Sequence, residues 1–122
     1  MAIPRVLVVM EAQWPRALLL AALQDAGYDT LGAATVAEAL AHPAREPGRS
    51  PIRLIVVDHH LSPNESAVAD LLRHFEGAVP LRLRSALQPA TPGTDSESLR
   101  YPLTIGDVVQ RVEDLCKARD ER

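Results

Sequence analysis

The chain has 122 residues, the length of one domain, and its hydrophobic fraction of 47% is ample for a core. Only 3% of residues are aromatic, so that core is built from Ala, Leu and Val. A formal charge of −3 argues against a nucleic-acid-binding domain, which carries a basic patch, and the lone Cys116 excludes a disulfide framework or a cysteine-based zinc site.

Arg5 to Met10 (RVLVVM) is a short, β-branched apolar run, the pattern of a strand buried on both faces. From Pro15 to Ala26 the apolar positions Leu18, Leu19, Ala22 and Leu23 recur at helical spacing, and Gly27 ends that helix. Asp29 to Ala33 forms a second strand. Thr35-Val36-Ala37-Glu38 is a capping box that opens a short helix to about His42. Residues 43–51 hold three prolines and a glycine and read as a loop.

Ile52 to Glu65 (IRLIVVDHHLSPNE) is the central stretch. Its run Leu54-Ile55-Val56-Val57 is a third buried strand that stops at Asp58. Ser62 then serves as N-cap, Pro63 as first helical residue and Glu65 as the third residue after the cap. In open parallel sheets, ligands and chemistry collect where Asp58 stands, at the carboxyl end of a strand. The helix from Ala67 to Phe75 turns Val68, Leu71, Leu72 and Phe75 inward, and Gly77 closes it.

Pro80 to Ser85 is a fourth strand of unusual pattern, in which Leu81, Leu83 and Ser85 alternate with Arg82 and Arg84. A central parallel strand is apolar on both faces, so two arginines on one face predict that no helix covers it. The following segment agrees: ALQPATPGTDSE, residues 86–97, has two prolines and a glycine, and no useful helix fits it. Leu99 to Tyr101 is a brief fifth strand. Thr104 to Asp107 opens a last helix with Val108, Val109, Val112, Leu115 and Cys116 at helical spacing and a charged end, residues 117–122, that frays. Strands and helices alternate, which implies an α/β fold with a parallel sheet, right-handed crossovers and helices on both faces.

This order and its landmarks resemble the receiver domain of bacterial response regulators, and the resemblance covers nearly the whole chain. VLVV falls at the first strand, AGYDT at the turn into the second, and LIVVDHHLS at the third strand with its phosphoacceptor, here Asp58. Ser85-Ala86 stands at the hydroxyl switch position, and YPLT, from Tyr101 to Thr104, matches the KPF-like turn before the last helix. The resemblance implies a flavodoxin-like, three-layer fold with five parallel strands in the order 2-1-3-4-5, its fourth helix shortened or missing, as a single receiver-like domain over residues 1–122.

The departures from the pattern bear on function. Receivers place two acidic residues after the first strand, which bind Mg²⁺ together with the phosphoacceptor. The matching positions here are Met10 and Glu11. Mg²⁺ requires hard oxygen ligands, and a thioether is soft. The receiver's lysine, which neutralises the acyl phosphate, falls at Tyr101, which is uncharged at pH 7. Lys117 is the chain's only lysine. Asp58, Glu11 and Ser85 remain of the set, so Glu11 and Asp58 are the only metal ligands on offer and Mg²⁺ binding is expected to be weak or absent. Arg84 or Arg100 could stand in for the lysine, though a guanidinium is not a like-for-like replacement.

Other residues have plainer readings. Asp58 is either a phosphoacceptor or a retained carboxylate that caps a loop, and Glu11 either a residual ligand or a solvated turn acid. His59 and His60 read as exposed histidines, because neighbours in a loop rarely converge on one ion. His42 and His74 lie on helices. Trp14 either staples the first helix or plugs the pocket near Asp58. There is no Ser-His-Asp or Cys-His arrangement and no phosphate-binding glycine loop. Arg82, Arg84 and Arg100 mark a stripped face that is either covered by arginine stems or used as an interface.

The expectation is therefore an atypical, stand-alone receiver in two-component signal transduction. It is not an enzyme; it acts as a signalling and protein-interaction module independent of standard Mg²⁺-dependent aspartyl phosphorylation. Its partner is a histidine kinase, an output protein or, as a homodimer, a second copy, bound through the fourth and fifth strands and the last helix. No nucleic acid, no membrane and no cofactor are expected. No apolar run reaches transmembrane length and there is no signal-peptide layout, so a cytoplasmic protein is expected. The alternatives are a working phosphorelay shuttle phosphorylated on Asp58, or a small-molecule-binding flavodoxin-like module.

Overall fold

A computed structural model describes residues 3–58, 65–84, 98–100 and 105–120. Five strands, β1 (Arg5–Val9), β2 (Asp29–Ala33), β3 (Ile52–Asp58), β4 (Val79–Arg84) and β5 (Ser98–Arg100), form one sheet in the order β2-β1-β3-β4-β5. Every pairing is parallel. The described helices are α1 (Gln13–Asp25), α2 (Val36–Leu40), α3 (Glu65–His74) and α4 (Ile105–Asp120).

The alternation of each strand divides the core in two. Val6, Val8, Leu54, Val56, Leu81 and Leu83 face α1 and α4, where they meet Leu19, Leu23, Val108, Val112 and Cys116. Leu7, Val9, Ile55 and Val57 face α2 and α3, where they meet Ala39, Leu71 and Phe75. β1 and β3 are thus buried on both faces, as their unbroken apolar runs require. Each such side chain contributes roughly 1.5–3 kcal/mol by burial.

Several local expectations hold in detail. Thr35 Oγ1 accepts a 3.0 Å bond from the Glu38 N–H, and Glu38 Oε2 accepts one of 3.3 Å from the Ala34 N–H, so the capping box closes one residue further out than its usual form. Gly27 and Gly77 stop α1 and α3 at φ of 100° and 87°, a region that side chains disfavour. Others shift. α1 begins at Gln13, two residues before Pro15, with no side-chain cap on Ala12. Leu18, placed by periodicity on the core side of α1, is exposed, because that helix is apolar almost all round and only Leu19 and Leu23 reach the core. α4 continues through residue 117 to Asp120 rather than fraying there. The expected loss of a helix at 86–97 lies outside the described residues.

One buried charge was not anticipated. Arg5, 3% exposed at the start of β1, faces Asp29 Oδ2 at 3.4 Å and Glu46 Oε1 at 3.5 Å and donates to the Ser50 carbonyl at 3.3 Å. It ties the edge strand and the 43–51 loop to the sheet. A buried cation stripped of its carboxylates is costly. The double variant Asp29→Ala/Glu46→Ala is therefore expected to lose about 3 kcal/mol of stability, measured by urea unfolding, and more than the two single variants summed.

Candidate functional site

The carboxyl ends of β1 and β3 lie side by side. Val9 pairs with Val57, so Met10 and Asp58 are the next residues on neighbouring strands. Asp58 closes β3 opposite Leu83 of β4 and is 5% exposed. A carboxylate so buried needs polar partners, and Asp58 has them.

Met10 is 4% exposed and belongs to the α1/α4 half of the core, beside Val8, Leu19 and Leu83. Its N–H donates to the Ala33 carbonyl at 3.0 Å, which extends the β1–β2 ladder by one bond. The residue at the first of the two positions where the resemblance expects acids is thus a core side chain. Glu11, the second, is exposed. Among the described residues no group of three or more His, Cys, Asp or Glu side chains could hold a metal ion.

Arg16 was missed in the sequence. From the first turns of α1 it reaches back, and its Nη1 donates to the Met10 carbonyl at 2.7 Å and the Glu11 carbonyl at 3.4 Å. A guanidinium therefore sits on the β1–α1 turn, bound to the two residues of the expected acidic pair through their backbones. The signal available in sequence was an arginine in the first turn of the helix that follows a strand, too common a pattern to single out.

The remaining candidates are distributed as follows. Trp14 is 76% exposed, so it neither plugs the pocket nor staples the helix. On β4, Leu81 and Leu83 enter the α1/α4 core, which turns Arg82 between them to the opposite face, where it is half-buried. Arg84 and Arg100 are register partners at the ends of β4 and β5, which aligns the two arginines across the sheet edge at backbone level. Ser85, Tyr101, His59 and His60 lie outside the described residues.

With this geometry in place, solved structures identify the fold. A CheY-like response regulator receiver domain protein from Methanospirillum hungatei superposes with a TM-score of 0.75 at 15% identity, covering 98% of both chains. A chemotaxis protein from Vibrio cholerae gives 0.70 at 21% identity, over 93% of this chain and 98% of its own. A response regulator from Burkholderia pseudomallei, solved with a phosphorylated aspartic acid and a calcium ion, gives 0.66 at 21% identity, over 98% of this chain and 75% of its own. No family model matches the chain, and no curated protein does. The architecture is the flavodoxin-like receiver fold, as the sequence landmarks implied.

The core role of Met10 is directly measurable. Met10→Ala is expected to cost about 2–4 kcal/mol in urea unfolding, while Glu11→Ala stays within about 0.5 kcal/mol of the parent.

Proposed function

We propose that the chain is a receiver-type signalling and interaction module whose Asp58 site works without Mg²⁺-dependent aspartyl phosphorylation. The observation that carries this reading is the burial of Met10. The residue beside Asp58, where a metal-binding carboxylate is expected, is packed among Val8, Leu19 and Leu83. A thioether in an apolar core offers Mg²⁺ nothing, since that ion requires near-octahedral oxygen coordination. Glu11 and Asp58 supply two carboxylates at most, one exposed and one buried, so the residues present do not fit the ion.

Arg16 supports the same reading. It places a fixed positive charge on the β1–α1 turn, bonded to the backbone of Met10 and Glu11. Phosphoryl transfer relies on positioning and on neutralising charge at the transferred group. A guanidinium committed to backbone carbonyls is a structural cation, and the chain's only lysine, Lys117, lies exposed on α4.

Signalling would then pass through binding. The partner is a histidine kinase, an output protein or a second copy, and the surface is the β4–β5 edge with Arg82, Arg84, Arg100 and the adjoining α4. This module is not an enzyme. Among the described residues no helix is long and apolar enough to cross a membrane. Asp58 keeps the phosphoacceptor's place, so a phosphorelay shuttle is the competing reading, and one experiment separates the two.

The chain is incubated with acetyl phosphate and Mg²⁺, and intact mass is followed beside Asp58→Asn. No adduct is expected on either protein. A phosphoryl adduct on the parent that disappears in Asp58→Asn would overturn the proposal. Met10→Asp supplies the missing ligand and is expected to gain Mg²⁺ affinity by calorimetry. It should also lose about 2–4 kcal/mol of stability, because it replaces a buried apolar side chain with a carboxylate.

A further inference from the structure

We infer that the end of the sheet remote from Asp58 carries a second binding site, for a small organic anion: a phosphate or carboxylate borne on a flat or apolar body. Ile52 and Asp58 are the two ends of β3, so this site lies about 20 Å from the pocket discussed above. It is independent of the proposed function.

The site is a cleft of about 420 Å³ between the 43–51 loop and the last turn of α3. That volume lies within the range of small-molecule sites, which combine apolar walls with a few placed polar groups. Here Pro51, Ile52 and Phe75 are the apolar lining, and Arg45, Arg73 and His74 are the polar one. The one acid on the lining, Glu76, is outnumbered by two arginines in a chain whose formal charge is −3. A second cleft of about 320 Å³ adjoins it, shares Arg45 and Pro51, and adds Glu46, Pro47 and Arg49.

The polar groups are available in different degrees. Arg45 makes no ion pair or hydrogen bond among the described residues. Arg73 pairs with Asp70 one turn back on α3, but its side chain is largely exposed, and such surface pairs are worth little, so a ligand anion competes for it readily. His74 Nε2 bonds to the His42 carbonyl at 2.7 Å. A carbonyl only accepts, so Nε2 is the donor in this bond, which holds His74 to the residue just before the loop. Guanidinium forks match phosphate and carboxylate geometry, which sets the ligand's charged end, and the exposed Ala44 and Pro51, over the buried Ile52 and Phe75, set its apolar end.

The loop is also held in place. Arg5, buried beneath it, binds Glu46 and the Ser50 carbonyl, and the other Glu46 oxygen faces Arg49 at 3.5 Å. An irregular surface loop anchored to a buried guanidinium presents Arg45 from a fixed backbone, and preorganisation of this kind lowers the cost of binding.

The test is a ¹⁵N NMR titration of the whole chain with three probes: adenosine monophosphate, 2-naphthoate and inorganic phosphate. Saturable shifts are expected at Arg45, Ile52, His74 and Phe75 with at least one organic anion, at a Kd of about 1 mM or tighter. Inorganic phosphate should bind at least about tenfold more weakly, because it lacks the apolar body. Comparison of the two organic probes tells a phosphate ligand from a carboxylate. Arg45→Ala/Arg73→Ala alters only exposed side chains and should weaken binding about tenfold or more, while Asp58→Asn should leave it unchanged. Shifts that do not saturate, that persist in the double variant, or that centre on Asp58 would overturn the proposal.

Discussion

The constraint on which the rest of this structure depends is the double-sided burial of β1 and β3. Val6 to Val9 and Leu54 to Val57 are all withdrawn from water, alternate side chains serving opposite halves of the core. A slip of one residue in either strand would exchange the two sets and leave neither half filled. The register is therefore rigidly specified, and with it the neighbours at each strand end. The carboxyl ends bring Met10 beside Asp58, while the amino ends bring Arg5 beside Ile52.

That arrangement explains what could be read from the sequence and what could not. The strands and the placement of Asp58 were legible because unbroken β-branched runs, glycine stops and a capping box are local signals with few alternative readings, while the strand order came from the resemblance to receiver domains. The role of Met10 was half legible. Its identity showed that a hard ligand was missing, but only packing shows the thioether committed to the core beside Leu19 and Leu83. Arg5 and Arg16 were invisible for the same reason. Their partners are a strand edge, a proline-rich loop and backbone carbonyls, and no spacing rule announces a contact between residues 5 and 46. Leu18 and Trp14 failed in the other direction. On a helix rich in Ala and Leu all round, periodicity gives no clear inward face, and the sheet takes only Leu19 and Leu23 fully inside.

Arg16 and Arg5 illustrate two uses of one side chain. Arg5 is buried, its charge balanced by two carboxylates and its geometry spent on anchoring the 43–51 loop. Arg16 is half-buried and, among the described residues, bonds to the carbonyls of Met10 and Glu11. In the receiver fold this turn is where acidic side chains would gather a divalent cation. Here the same ground holds an apolar side chain, an exposed acid and an arginine.

A turn of this composition bears on what kind of switch the fold can be. A receiver that depends on Mg²⁺ and an acyl phosphate has two states separated by a large change of local charge. On the proposed reading, with Met10 packed in the core and Arg16 bonded to the backbone, the carboxyl ends of the strands undergo no comparable change of charge. Any ligand that alters the balance of states must then bind one of them better than the other. Such differential contact is most readily made at surfaces not already committed to packing. Among the described residues the cleft between the 43–51 loop and α3 is one such place. The cleft includes Ile52, the first residue of β3, at the end of that strand remote from Asp58.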